Sequence, residues 1–184
     1  MTKEAIISKL ETDHQQFISY IASMEEKNFM YAPREKWSAG QHADHIRRSV
    51  APLKVILALP KMAVKFLFKK SNRPSRSYDA LVEKYGLKLQ GGGKASGRFV
   101  PGPVTENEKD LILKKISRDV SGICRSLRKY SEKELDLYTI PHPLLGRLTI
   151  REMMYFTIHH VEHHHNMIIR YLLEVSMASR SKSI

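Results

Sequence analysis

Apolar residues return every three or four positions in four stretches of the chain, and each stretch reads as a helix with one buried face. The first, residues 4–24, places Ile6, Leu10, Phe17, Ile21 and Met24 on one stripe. The second opens at Ser38, and Pro52, a dozen residues in, predicts a kink or the end of its first segment. Pro60 is a second interruption. The third runs from about Thr105 to Tyr130 and should bury Leu111, Ile112, Ile116, Val120, Ile123 and Leu127. The fourth, from Thr149 to about Val175, is the longest uninterrupted pattern.

Three of these starts share one signature. "SAGQ" (38–41), "TENE" (105–108) and "TIRE" (149–152) each set a hydroxyl residue three positions before Gln or Glu. This is the capping box, in which the hydroxyl and the longer side chain satisfy each other's free backbone N–H groups.

Between the second and third helices the pattern changes. Residues 71–104 hold most of the glycine, including Gly91, Gly92 and Gly93, and read as a long crossover. A short helix is expected at 78–86, with a mobile glycine-rich tip over 90–103 that is either a lid over a site or mere slack. The third and fourth helices are joined by the turn-like "YTIPHPLLGRL". The expected architecture is an all-α four-helix bundle, one domain over residues 1–184, with a long crossover between helices two and three.

Composition alters this picture little. Hydrophobic residues are 42% and charged residues 27%, ordinary for a globular chain. No apolar run reaches the ~20 residues that span a bilayer, and the opening "MTKEAIISKLETDH" does not read as a signal peptide. The single Cys124 rules out an internal disulfide, fits a cytoplasmic protein, and leaves only nitrogen and oxygen ligands for any metal. The net charge of +12 does raise a question of partners. It makes nucleic acid or an acidic membrane a candidate partner, and "KMAVKFLFKK" (61–70) is a candidate amphipathic contact. The basic residues are dispersed, however, and lack the interleaved aromatics of a base-stacking surface.

The chemistry concentrates in "FTIHHVEHHHNMI" (156–168), where five of nine histidines fall within seven positions. At about 100° per residue, Met153, Thr157, Val161, Ile168 and Leu172 mark the inner stripe. His160 and His164 lie on or beside it, one turn apart, and suit a chelating pair. His159 and His163 fall toward the flank near Arg170, and His165 shares the direction of Glu162. This is not the zinc-protease "HExxH", because Val161 stands where its general base would be. A third ligand is needed, and "WSAGQHADHI" offers His45, with His42 as the fallback. His42, His163 and His14 are candidate acid/base or orienting groups, and His142 a turn residue near the mouth. Gln41 is expected to serve the Ser38 cap, Trp37 to staple the helix entry, and Cys124 to be a buried, inert thiol.

"WSAGQHADHI" followed far downstream by "PHPLLGRLTIREMMYFTIHHVEHHHNMI" resembles the DinB/YfiT superfamily of four-helix bundles. Trp37, Ser38, Gln41 (where the family commonly has Glu) and His45 match its first motif; Pro143, Gly146, Thr149, His160 and His164 match its second. The resemblance implies an up-down-down-up bundle with one divalent metal (zinc, nickel, iron or manganese) held by His45, His160 and His164. It also implies a metal-dependent hydrolase, or a thiol S-transferase or isomerase using a low-molecular-weight thiol on a small-molecule substrate. Bundles of this kind often pair into homodimers. The family's link to DNA damage keeps a second expectation open, a non-catalytic, stress-related metal-binding protein whose basic surface meets an anionic partner.

Overall fold

Helix α1 (Lys3–Ala22) begins where the Thr2 hydroxyl accepts from the Ala5 N–H, and it buries Ile6, Ile7, Leu10, His14, Phe17 and Ile21. The computed structural model describes residues 1–32 and 36–181. A short helix α2 (Glu26–Met30) pushes Phe29 into the core beside the start of helix α3 (Ala39–Ala58). That approach requires Gly40, where a Cβ would sit 2.8 Å from Phe29 Cζ and 3.1 Å from Val104 Cγ1. The Ser38–Gln41 capping box is complete.

Pro52 does not end α3, which continues through it to Ala58. One intrahelical bond is lost there, but Val50, Leu53 and Leu57 are buried on either side and hold the helix in place. It stops one residue short of Pro60, with Leu59 extended, because a residue before proline is pushed out of the helical region.

The connection to the third long helix carries α4 (Lys61–Leu67) and α5 (Tyr78–Gln90), the latter four residues longer than the spacing predicted. The three glycines close α5, and Gly93 packs so tightly against Lys88 and Leu144 that a Cβ would clash with both. A 3-10 turn at Gly97–Phe99 follows. The Thr105–Glu108 box caps a second 3-10 turn, which leads into α6 (Lys109–Leu127). Leu111 corrects the expected stripe, being 54% exposed. It lies one residue, about 100°, away from the buried line of Ile112, Ile116, Val120, Ile123 and Leu127.

After α7 (Glu132–Leu137) the expected loop is a β-hairpin, β1 (Thr139–His142) paired antiparallel with β2 (Gly146–Thr149). Gly146, at φ +76°, makes its turn. Helix α8 (Ile150–Ser181) runs six residues past the expected end. The Thr149 hydroxyl accepts from the Glu152 N–H, and Glu152 accepts from the Thr149 N–H, which completes the third box.

Contacts at the helix ends fix the directions. Lys3 Nζ donates to the Tyr130 carbonyl and Lys109 Nζ to the Met24 carbonyl, so α1 and α6 run antiparallel. Gln41 reaches Gly102 at one end of α3 and α6, and Lys61 pairs with Glu134 at the other, so these two run parallel. Arg151 donates to the Met1 carbonyl, which aligns α8 with α1. The result is an up-down-down-up bundle in which α6 and α8 each pack on both α1 and α3. Among the described residues no helix is long and apolar enough to cross a membrane.

The crossover is pinned at the base of α8. Arg73 binds Glu152 through two guanidinium nitrogens (2.6 and 2.9 Å), and Arg76 adds its backbone N–H and its guanidinium. Burial works to raise the Glu152 pKa, but these bonds, led by Arg73, hold it down at about 2.

Candidate metal centre

The capping box at Ser38 aims the first turns of α3 at the middle of α8, where they meet as antiparallel neighbours. His45 Nε2 lies 3.1 Å from His160 Nε2, which lies 3.0 Å from His164 Nε2. All three side chains are buried. His160 and His164 are one turn apart on the inner face of α8, and His45 meets them from across the interface.

Two of the three rings are held from behind by a hydrogen bond. His45 Nδ1–H donates to the Phe99 carbonyl at 2.7 Å, so its Nε2 is left with the lone pair. His164 Nδ1 lies 2.7 Å from His42 Nδ1. For His164 to present a lone pair at Nε2, its Nδ1–H must donate to His42. The proton of His42 then sits on Nε2, a buried nitrogen with no partner. Phe156 stacks on His160 at 4.8 Å between centroids. Trp37, expected only to staple the helix entry, lies over the cluster, 4.9 Å from the ring of His45 and 6.2 Å from that of His164.

The electrostatics favour neutral rings. Burial lowers the pKa of His45, His160 and His164, and for the last two the neighbouring imidazoles depress it further. His42 is pushed down to about 3, chiefly by burial. Neutral imidazole is the form that ligates metal. Metal–nitrogen bonds of about 2.0–2.1 Å place neighbouring ligand atoms roughly 3.0–3.4 Å apart; the His45–His160 and His160–His164 spacings fall in that range, and all three ligand atoms lie within 4.8 Å of one another. The residues therefore fit a divalent cation. Among the described residues His45, His160 and His164 are the one group of His, Cys, Asp or Glu gathered in this way.

The remaining candidates are dispersed. His163 and His159 line a surface groove with Tyr78 and Arg170, on the flank of α8. His165 does not point outward with the exposed Glu162; it is half-buried against Phe17 and Tyr20. The packing of α1 on α8 covers that side. Gln41 completes the Ser38 cap. Burial raises the Cys124 thiol to about 12, which leaves it protonated and inert.

A cavity of about 140 Å³ opens beside His45 and His160, walled by α3, α5, α8, the hairpin and residues 94–99 of the crossover. His14 and His142 line it. Sequence reasoning gave no sign of the Phe99 carbonyl, since backbone behind a ring leaves no trace in residue type. The role of Trp37 was closer to hand, because it directly precedes the helix that bears His45.

No curated protein matches the chain. The family model of the DinB superfamily matches residues 9–168, a span that includes all of the clustered imidazoles. By that match, over most of its length, the chain belongs to the DinB superfamily.

Proposed function

We propose that the protein is a metal-dependent enzyme in which His45, His160 and His164 hold one divalent cation through their Nε2 atoms. The observation that carries this reading is the convergence of three buried, neutral imidazoles from two helices, two of them braced by a hydrogen bond at the far nitrogen. With three protein ligands, a bound cation keeps positions open and supplies a Lewis acid that activates water or a low-molecular-weight thiol. The protein's part is to keep the rings neutral, to fix the tautomers of His45 and His164 through Phe99 and His42, and to admit a small electrophilic substrate from the adjoining cavity. Imidazole suits zinc, nickel, iron and manganese alike.

Elemental analysis of untagged protein should find close to one divalent metal per chain. His45→Ala, His160→Ala and His164→Ala should each lose most of it, and His165→Ala should keep it. Trp37, the single tryptophan, supplies an independent readout, because cobalt(II) bound among rings so close to it should quench its fluorescence. A His45→Ala protein with full metal content and full quenching would overturn the reading.

One observation favours a second role at a different surface. Helix α4 leaves Phe66 85% and Leu67 64% exposed, and Lys69 and Lys70 follow on the surface. Exposed apolar side chains flanked by cations suit an acidic membrane surface. Co-sedimentation with vesicles containing phosphatidylserine but not with neutral ones, lost in Phe66→Ser/Leu67→Ser, would support it. Equal behaviour toward both kinds of vesicle would remove it.

A further inference from the structure

The cavity beside the three imidazoles has a polarity of its own. Its walls are mostly apolar, with Ile46, Val50, Leu53, Leu89, Met153 and Phe156 among them, and no carboxylate lines it. At roughly 10–15 Å³ per water position, it has room for about ten water-sized groups. Lys94 and Arg98 stand at its crossover side, both exposed and without an acidic partner among the described residues.

Deeper in, His14 is 1% exposed. Its Nδ1–H donates to the Leu10 carbonyl at 2.8 Å, an ordinary backbone acceptor one turn back on α1. This fixes the tautomer, so Nε2 carries a lone pair. That nitrogen is buried and has no hydrogen-bond partner. A buried acceptor left unmatched costs stability, and this one belongs to a residue of the cavity wall. His142 has the opposite sense. Its Nδ1 accepts from the Leu144 and Leu145 N–H groups, so its proton is on Nε2.

We propose that this cavity is the substrate chamber, that it takes a small organic anion with an apolar body, and that His14 Nε2 accepts a hydrogen bond from an O–H or N–H of that molecule. The anionic group is held at the mouth by Lys94 and Arg98, and the body lies along the α3 and α8 walls. The proposal rests on the three-imidazole reading for what then happens to the bound molecule, but not for the binding itself.

Three probes of one shape separate the contributions: 4-hydroxyphenylacetate, 4-methylphenylacetate, which lacks the hydroxyl, and 4-hydroxyphenylacetamide, which lacks the charge. Isothermal titration of the whole protein, with and without zinc, should give 4-hydroxyphenylacetate a dissociation constant in the millimolar range or tighter. The other two should bind about tenfold more weakly. Lys94→Ala/Arg98→Ala should erase the advantage of the charged probe over the amide. His14→Asn keeps a donor for the Leu10 carbonyl but has no atom at the place of Nε2. It should erase the preference for hydroxyl over methyl while leaving affinity for the methyl probe unchanged. A cavity that binds none of the probes, or a hydroxyl preference that survives His14→Asn, would overturn the proposal. Either result can occur in a protein with its full metal content, so the chamber and the metal centre fail separately.

Discussion

His45 Nδ1 donates to the carbonyl oxygen of Phe99 at 2.7 Å, so the crossover holds an imidazole of α3 from behind. Phe99 ends the 3-10 turn that begins at Gly97, whose φ of +55° strains any side chain placed there. Gly97→Val should displace the carbonyl and weaken metal binding by about 10–100-fold, the usual cost of losing a hydrogen bond behind a ligand. Competition against a chromophoric chelator measures the change. Gly86→Ala, a substitution into open space within α5, should leave metal affinity as it was.

His42 backs His164 in the same way, its Nδ1 accepting where a carbonyl oxygen accepts behind His45. His42→Ala should lower metal affinity by about tenfold without abolishing the full stoichiometry. His42→Asn, whose side-chain oxygen can take the place of Nδ1, should restore most of it. If His42 were itself a ligand, the alanine variant would lose the metal outright and asparagine would not rescue it.

Acid should destabilise the protein early. Burial is the chief cause that lowers His14 and His142 to about 4 from an ordinary value of 6.5. Between those values the unfolded chain binds a proton at each site and the folded chain does not. Stability is therefore complete above about pH 6.5 and falls as pH drops toward 4, by up to about 1.4 kcal/mol per pH unit for each histidine. Urea titrations from pH 7 to 4 should show this slope, and His142→Asn should reduce it.

Gly40 is a packing requirement. Alanine normally favours a helix interior by about 1 kcal/mol over glycine, but here its Cβ would meet the Phe29 ring at 2.8 and 2.9 Å. Overpacking costs about 1–3 kcal/mol and should win, lowering Tm by several degrees in a thermal melt. Gly40→Ala/Phe29→Leu should recover part of the loss.

What could be read in the sequence was what local rules determine. The hydroxyls of Ser38, Thr105 and Thr149 each sit three residues before their partner, and all three boxes form. The inward turn of His160 and His164 follows from helical spacing alone. Leu111 was misplaced because a stripe has a width that one residue can overstep. The hairpin was missed because four-residue strands carry too little alternation to register, and Pro141 further obscured the first. His165 was turned the wrong way because its surroundings depend on where α1 packs. The pairing of His42 with His164 and the bond to Phe99 join residues more than fifty positions apart, which no local pattern encodes.

Those separations bear on the order of assembly. The cluster draws on positions 45, 99, 160 and 164, so it exists only once both halves of the bundle have docked. The unfolded chain still presents five imidazoles between His159 and His165, a loose ligand that needs no fold. An ion offered during refolding meets that run first, and its hold on the open chain offsets part of its preference for the closed one. The rise in melting temperature on adding metal should then be smaller than the affinity of the folded protein alone implies.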